Sequence, residues 1–180
     1  TIKVRGIELR RRDTPPFIKQ LQQDLLTCLA GAEDADEMQQ LLPTLLNIVK
    51  HYLDRLHSED VATDDLTITQ NVSRMPHEYQ QQCSQAIAAE LASRCGQAIQ
   101  PGQAIKYVHT DSRSRHPLRR VALPNTTAAV HYDKEKYTEL LLRATDTILA
   151  PLGWNYNKLA QYFSEKPIQT ALDSYLRIHK

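Results

Sequence analysis

A chain of 180 residues, 41% hydrophobic and 24% charged, has room for one hydrophobic core, split at most into two small lobes, and is too short for most complete multi-domain enzymes. No apolar run reaches membrane length, so no membrane partner is expected. Three cysteines, Cys28, Cys83 and Cys95, with no CxxC pair and no histidine at ligand spacing, exclude a disulfide framework and a zinc site and point to a reducing, cytoplasmic setting.

The formal net charge of +1 conceals a strong segregation. Residues 1–30 hold six Lys/Arg against three Asp/Glu, residues 31–70 two against nine, residues 71–130 seven against three, and residues 131–180 seven against six. Two basic segments flanking an acidic one give the electrostatic footprint of a polyanion binder, provided that the acidic block folds away from them. The chain opens on Thr1 with neither an initiator methionine nor a signal peptide, which reads as an excised segment or a processed product.

In chain order, Ile2, Val4, Ile7 and Leu9 alternate around Gly6 and predict a strand over residues 2–12 with a bulge at the glycine. Arg10-Arg11-Arg12 then stand side by side, a run that is kept either as a solvated edge screened by water or because something anionic sits opposite. Thr14 followed by Pro15 reads as a helix cap, and Phe17, Leu21, Leu25 and Leu29 repeat every four residues until Gly31. A second helix spans Asp36 to about Leu56, with Pro43 starting or kinking it.

Leu66 to Thr69 is strand-like, and a helix from Glu78 to Cys95 carries Tyr79, Cys83, Ile87, Leu91 and Cys95 on one face before Gly96 stops it. That placement predicts the cysteines as buried packing residues. Ile105 to Val108 and Val121 to Leu123 read as two short strands around an exposed basic turn. Asp133 caps a helix bearing Tyr137, Leu140, Leu141, Ala144 and Ile148, which Pro151 and Gly153 end. A short helix near Lys158 to Phe163 and an amphipathic tail complete the chain. The class is α+β, helix-rich, with a few short strands.

No nucleophile with a base, metal cluster or glycine-rich phosphate loop emerges. The five glycines are scattered, His77, His109, His116 and His131 are dispersed, and Asp34 with Asp36 and Asp64 with Asp65 are better read as solvated caps than as Mg²⁺ ligands. The segment is expected to have no active site and no cofactor of its own.

Four blocks nevertheless occur together. "VRGIELRRRD", "TITQNVSRMPHEY", "IQPGQAIKYVH" and "HYDKEKYTELLLRATDTILAPLGW" resemble, in order and spacing across nearly the whole chain, the region of archaeal-type family B DNA polymerases that leaves the palm and forms the thumb. The resemblance implies that residues 1–13 are the end of the palm, 14–165 the thumb and 166–180 a C-terminal tail, with the catalytic carboxylates and their Mg²⁺ in a palm N-terminal to this segment. It implies that Arg5, Arg11 and Arg12 approach the primer–template backbone, with Asp13 orienting a neighbouring arginine, and that Ser73, Arg74 and Tyr79 grip the new duplex by phosphate or minor-groove contact. The sequence departs from the family where relatives place Lys after the tyrosine, since Gln80, Gln81 and Gln82 follow here; losing that cation removes roughly one phosphate contact.

In the tail, Gln169, Leu172, Tyr175 and Leu176 resemble the sliding-clamp-binding box of archaeal-type relatives, although the same spacing suits an amphipathic helix packing on its own domain. The implied partners are primer–template duplex, the palm of the parent enzyme and a sliding clamp. Two other classes stay open at this level: a split or inactivated polymerase-like protein acting as a DNA-binding or regulatory subunit, and a helical protein-interaction module.

Overall fold

A computed structural model describes residues 7–124 and 131–164. Among the described residues seven α-helices and three strands follow one another: α1 (Pro16–Leu29), α2 (Ala35–Gln40), α3 (Leu42–His57), α4 (Thr63–Leu66), β1 (Ile68–Asn71), α5 (Ser84–Arg94), β2 (Ala104–His109), β3 (Val121–Ala122), α6 (Lys134–Leu149) and α7 (Tyr156–Ser164). The α+β, helix-rich class is as expected.

The apolar stripes of three helices build the larger core. Phe17, Ile18, Leu21 and Leu25 of α1, Leu45, Val49, Tyr52 and Leu56 of α3, and Tyr137, Leu141 and Leu149 of α6 are buried against one another, and Leu159 of α7 closes the cluster. Each such side chain contributes roughly 1.5–3 kcal/mol of transfer free energy. The single long helix expected over residues 36–56 is two helices, because the chain turns at Leu41 and Pro43 occupies the first turn of α3. Pro16, one residue later than expected, takes the first position of α1, and its N-cap is Pro15.

A smaller core lies between the sheet and α5. The strands run in the order β1-β2-β3, both pairs antiparallel, with Ile68 opposite Tyr107, Asn71 opposite Ala104 and His109 opposite Val121. Ile68, Ile105, Tyr107 and Val121 pack on Ile87, Ala88, Ala89 and Ala92. Three alanines on the buried face of α5 let its backbone approach the sheet closely.

Several expectations are corrected here. The segment over Glu8–Arg10 is a 3₁₀ turn rather than a strand, while Ile2, Val4 and Gly6 of the expected strand lie outside the described residues. The helix expected from Glu78 begins only at Ser84, because Pro76–Glu78 form a separate 3₁₀ turn. Tyr79 and Cys83 therefore precede α5, and Cys83 and Cys95 are exposed, with Cys28 half-buried, so packing does not account for the two exposed thiols. The stops are where the glycines put them. Gly96 and Gly153 adopt left-handed φ of 81° and 78°, and Gln97 and Trp154 donate back to the carbonyls of Ala92 and Leu149.

The Tyr137 side chain bonds the larger core to the end of the sheet. The Tyr137 hydroxyl, on a residue 1% exposed, donates to the Leu66 carbonyl at 2.7 Å and accepts from the His109 backbone N–H at 3.1 Å. It thereby ties α6 to the end of α4 and to the end of β2. Replacing Tyr137 by Phe keeps the ring and strands both partners, so urea unfolding should show a loss of about 2–4 kcal/mol.

His109 gives a second expected outcome. Burial, reinforced by the Lys136 cation, lowers its pKa to about 4 from an ordinary 6.5, and its Nδ1 has no partner among the described residues. Between those two values the unfolded chain takes up a proton that the folded chain refuses. The stability supplied by the neutral ring is therefore complete above about 6.5 and is lost as pH falls towards about 4, a swing on the order of 3 kcal/mol. His109→Phe should flatten the difference in urea midpoint between about pH 7 and about pH 5.

Candidate nucleic-acid interface

The arginine run is held as a strap with two anchors. At its start, the Glu8 carboxylate accepts from the Gln22 amide at 2.8 Å and from the Thr147 hydroxyl at 3.2 Å, which fastens the strap to α1 and α6. Gln22 is itself 0% exposed and donates to the Ala144 carbonyl, so the anchor is set into the core. At its end, Asp13 receives a two-point grip from Arg11, Nε to Oδ1 at 2.9 Å and Nη2 to Oδ2 at 2.7 Å. That hydrogen-bonded guanidinium holds the Asp13 carboxyl below its usual range against the opposing effect of burial, and the Gln70 amide adds to it. Gln70 in turn accepts from the Tyr107 hydroxyl at 2.8 Å, so the strap is laid against β1 and β2.

The consequence for charge is specific. Arg11 spends its fork on Asp13 and the pair is neutral as a unit, whereas Arg10 and Arg12 are exposed and make no ion pair among the described residues. Of the expected strap cations, Arg12 is the one presented to solvent without an internal carboxylate. Arg10 was not singled out by the sequence pattern, and its exposure is what adds it. Arg5 lies outside the described residues.

Three residues beyond Gln70, Ser73, Arg74 and Tyr79 come together in one turn. The Tyr79 hydroxyl accepts from the Ser73 backbone N–H at 3.0 Å and lies 3.4 Å from the Ser73 hydroxyl. Burial alone raises this phenol, but the hydrogen bonds from the Ser73 side chain and the Ser73 and Arg74 backbone outweigh it and hold the pKa below its ordinary value. Inside the turn, Glu78 accepts from the Met75 backbone N–H at 2.8 Å. Ser73 and Tyr79 are thus partly satisfied by each other, and they fix the backbone from which Arg74, exposed and without an ion pair among the described residues, projects. Gln80, Gln81 and Gln82 are all exposed beside it.

The first part of the acidic block sits away from the strap, while Asp64 and Asp65 lie in α4, directly before β1. Asp34, Asp36 and Glu37 belong to the link and first turn of α2, beyond the far end of α1, which at 14 residues spans about 20 Å from the strap. Among the described residues no group of three or more His, Cys, Asp or Glu side chains is placed to hold a metal ion. No helix among them is long and apolar enough to cross a membrane. Gln169, Leu172, Tyr175 and Leu176 lie outside the described residues.

The comparisons with known proteins bear on the whole chain. A model of DNA polymerase family B matches residues 1–152. DNA polymerases of Thermococcus sp. (strain GE8) and Thermococcus gorgonarius are each 28% identical over 98% of the chain, which spans 10% and 22% of their respective lengths. The solved structure of the family B DNA polymerase from the hyperthermophilic archaeon Pyrobaculum calidifontis superposes with a TM-score of 0.61 at 20% identity, covering 73% of this chain and 17% of that one. The chain therefore spans a small part of the proteins it resembles.

Because Tyr79 pins the turn, Tyr79→Phe should cost about 1 kcal/mol locally and speed trypsin cleavage after Arg74 by ~5-fold. An unchanged cleavage rate would show that the hydroxyl does not restrain this backbone.

Proposed function

The chain belongs to DNA polymerase family B, and we propose that within such an enzyme it is the thumb region, which grips the primer–template duplex through its phosphate backbone. On this reading residues 1–13 end the palm, 14–165 form the thumb and 166–180 are a tail whose Gln169, Leu172, Tyr175 and Leu176 dock on a sliding clamp. Templated nucleotidyl transfer, with its Mg²⁺, belongs to the palm of the parent enzyme, and this segment supplies affinity for the product duplex and processivity. The free thiols Cys28, Cys83 and Cys95 accord with a cytoplasmic setting.

The observation that carries the proposal is the way in which two arginines are displayed. Arg12 and Arg74 stand exposed on backbone segments braced by internal hydrogen bonds, of Glu8 and Asp13 on one side and of Ser73, Tyr79 and Glu78 on the other. A guanidinium on a fixed backbone meets a phosphate with little ordering cost and reads no base. Arg11 then acts mainly by shaping the strap. The Gln80 to Gln82 run adds no cation at the turn, so its grip depends on Arg74.

Fluorescence anisotropy of the chain with primer–template duplexes across a salt series tests this. Arg12→Ala with Arg74→Ala should weaken binding equally for unrelated sequences and reduce the slope of log affinity against log salt by about two. A loss confined to particular sequences would sink the assignment of phosphate contact.

A further inference from the structure

The arginines of this chain divide into two sets. Arg11, Arg55, Arg94, Arg113 and Arg143 are each ion-paired with a carboxylate. Among the described residues those left without an ion pair are Arg10 and Arg12 on the strap, Arg74 on the turn, and Arg115, Arg119 and Arg120 in the loop over residues 110–120 between β2 and β3. Among the described residues the bare arginines thus fall in three places, of which the strap and the loop also hold a paired one, and the function proposed above uses only the first two.

The loop is built as rigidly as the strap. Thr110 closes its base, the backbone N–H donating to the Arg120 carbonyl at 3.1 Å and the hydroxyl to the Arg119 carbonyl at 2.6 Å. Asp133, whose Oδ1 caps α6 through the Lys136 N–H, uses Oδ2 to accept from the Ser112 N–H at 2.8 Å and so fastens the loop to that helix. Arg120 turns inward and donates from Nε to the Ser114 carbonyl at 2.8 Å, bracing the loop across its middle. Arg115 and Arg119 remain, both exposed, with His116 exposed between them. Arg113 reaches Glu135 at 2.7 Å, but with side chains 84% and 73% exposed that pair adds little and can exchange for a phosphate. The loop carries four arginines against one acidic residue, Asp111.

Its position relative to Arg74 follows from the sheet register. The turn bearing Arg74 leaves β1 at the end where Asn71 faces Ala104, and the loop leaves β2 at the end where His109 faces Val121. The two sites lie at opposite ends of β2, roughly 20 Å apart at the usual rise of an antiparallel strand. Along duplex DNA that distance covers about six base pairs, so the two would engage separate phosphates.

We propose that the loop over residues 110–120 is a second phosphate-binding element, in which Arg115 and Arg119 hold the backbone of a nucleic-acid duplex at the end of β2 opposite Arg74. The inference rests on the duplex-gripping reading above and extends it to residues that no motif marked. The loop's internal hydrogen bonds prepay its ordering, and the bare guanidiniums supply the salt-dependent attraction.

The test is a salt titration of duplex binding by the whole chain, comparing wild type, Arg115→Ala with Arg119→Ala, the corresponding Lys replacements, and Lys50→Ala with Arg94→Ala as a control that removes the same charge elsewhere. The loop alanine pair should lower the salt slope by about two, on top of the loss from Arg12→Ala with Arg74→Ala, while the lysine pair retains the slope. Wild-type binding with an unchanged slope in the loop variant overturns the loop proposal and leaves the thumb reading intact. An equal fall in the control pair also overturns it, because bulk charge would then explain the effect. A wild-type chain that fails to bind duplex at low salt overturns the thumb reading itself, and the loop proposal with it.

Discussion

The Tyr137 hydroxyl is the point on which the arrangement of this molecule depends. Its ring belongs to the helical core, while its oxygen faces the Leu66 carbonyl and the His109 N–H, two backbone groups at the ends of elements that belong to different layers. Both groups are buried, so each needs a partner, and one phenol serves both. The end of β2 is thereby set against α6, and everything carried by the sheet inherits that placement. Leu140, half-buried, touches both cores beside it, so apolar contact and hydrogen bonding agree at the same seam.

What could be read from the sequence divides along physical lines. The bodies of α1, α3 and α6 were legible because an apolar stripe with a four-residue repeat is a local property, and Asp133 caps α6 and Gly96 and Gly153 stop their helices as expected, whereas the start of α1 and the break before α3 were not read. The strap was misread as a strand because alternation of Ile7 and Leu9 mimics one, whereas the decisive fact is that Glu8 is drawn to Gln22 and Thr147, residues 14 and 139 positions away. The face of α5 was legible only in part. Ile87 is buried and Leu91 packs on the same cluster as expected, but Cys83 and Cys95 are exposed and close approach to the sheet buries Ala88, Ala89 and Ala92 beside Ile87.

The candidate interface shows the same limit in its chemistry. A sequence lists arginines without their partners, and the run Arg10-Arg11-Arg12 gives no sign that Arg11 is neutralised by Asp13 while its neighbours stay bare. Ser73 and Tyr79 could be named from the motif, but not the hydrogen bond that the Ser73 backbone N–H donates to the Tyr79 hydroxyl and that braces the turn carrying Arg74. The basic turn between the short strands was visible as charge, and only its internal bonding distinguishes a fixed loop from a solvated one.

Local charge, rather than the total, then governs how a polyanion would approach. With a net charge of +1 the molecule offers no long-range attraction as a whole, and screening confines each charged cluster to about a Debye length, ~8–10 Å. The acidic residues of α2 lie beyond the far end of α1 from the strap, and the bare arginines collect on the strap, the turn and the loop that border the sheet. The sheet that orients those guanidiniums is held in register with the helices by the Tyr137 hydroxyl, and loosening that bond would blur the spacing of the cations without removing one of them.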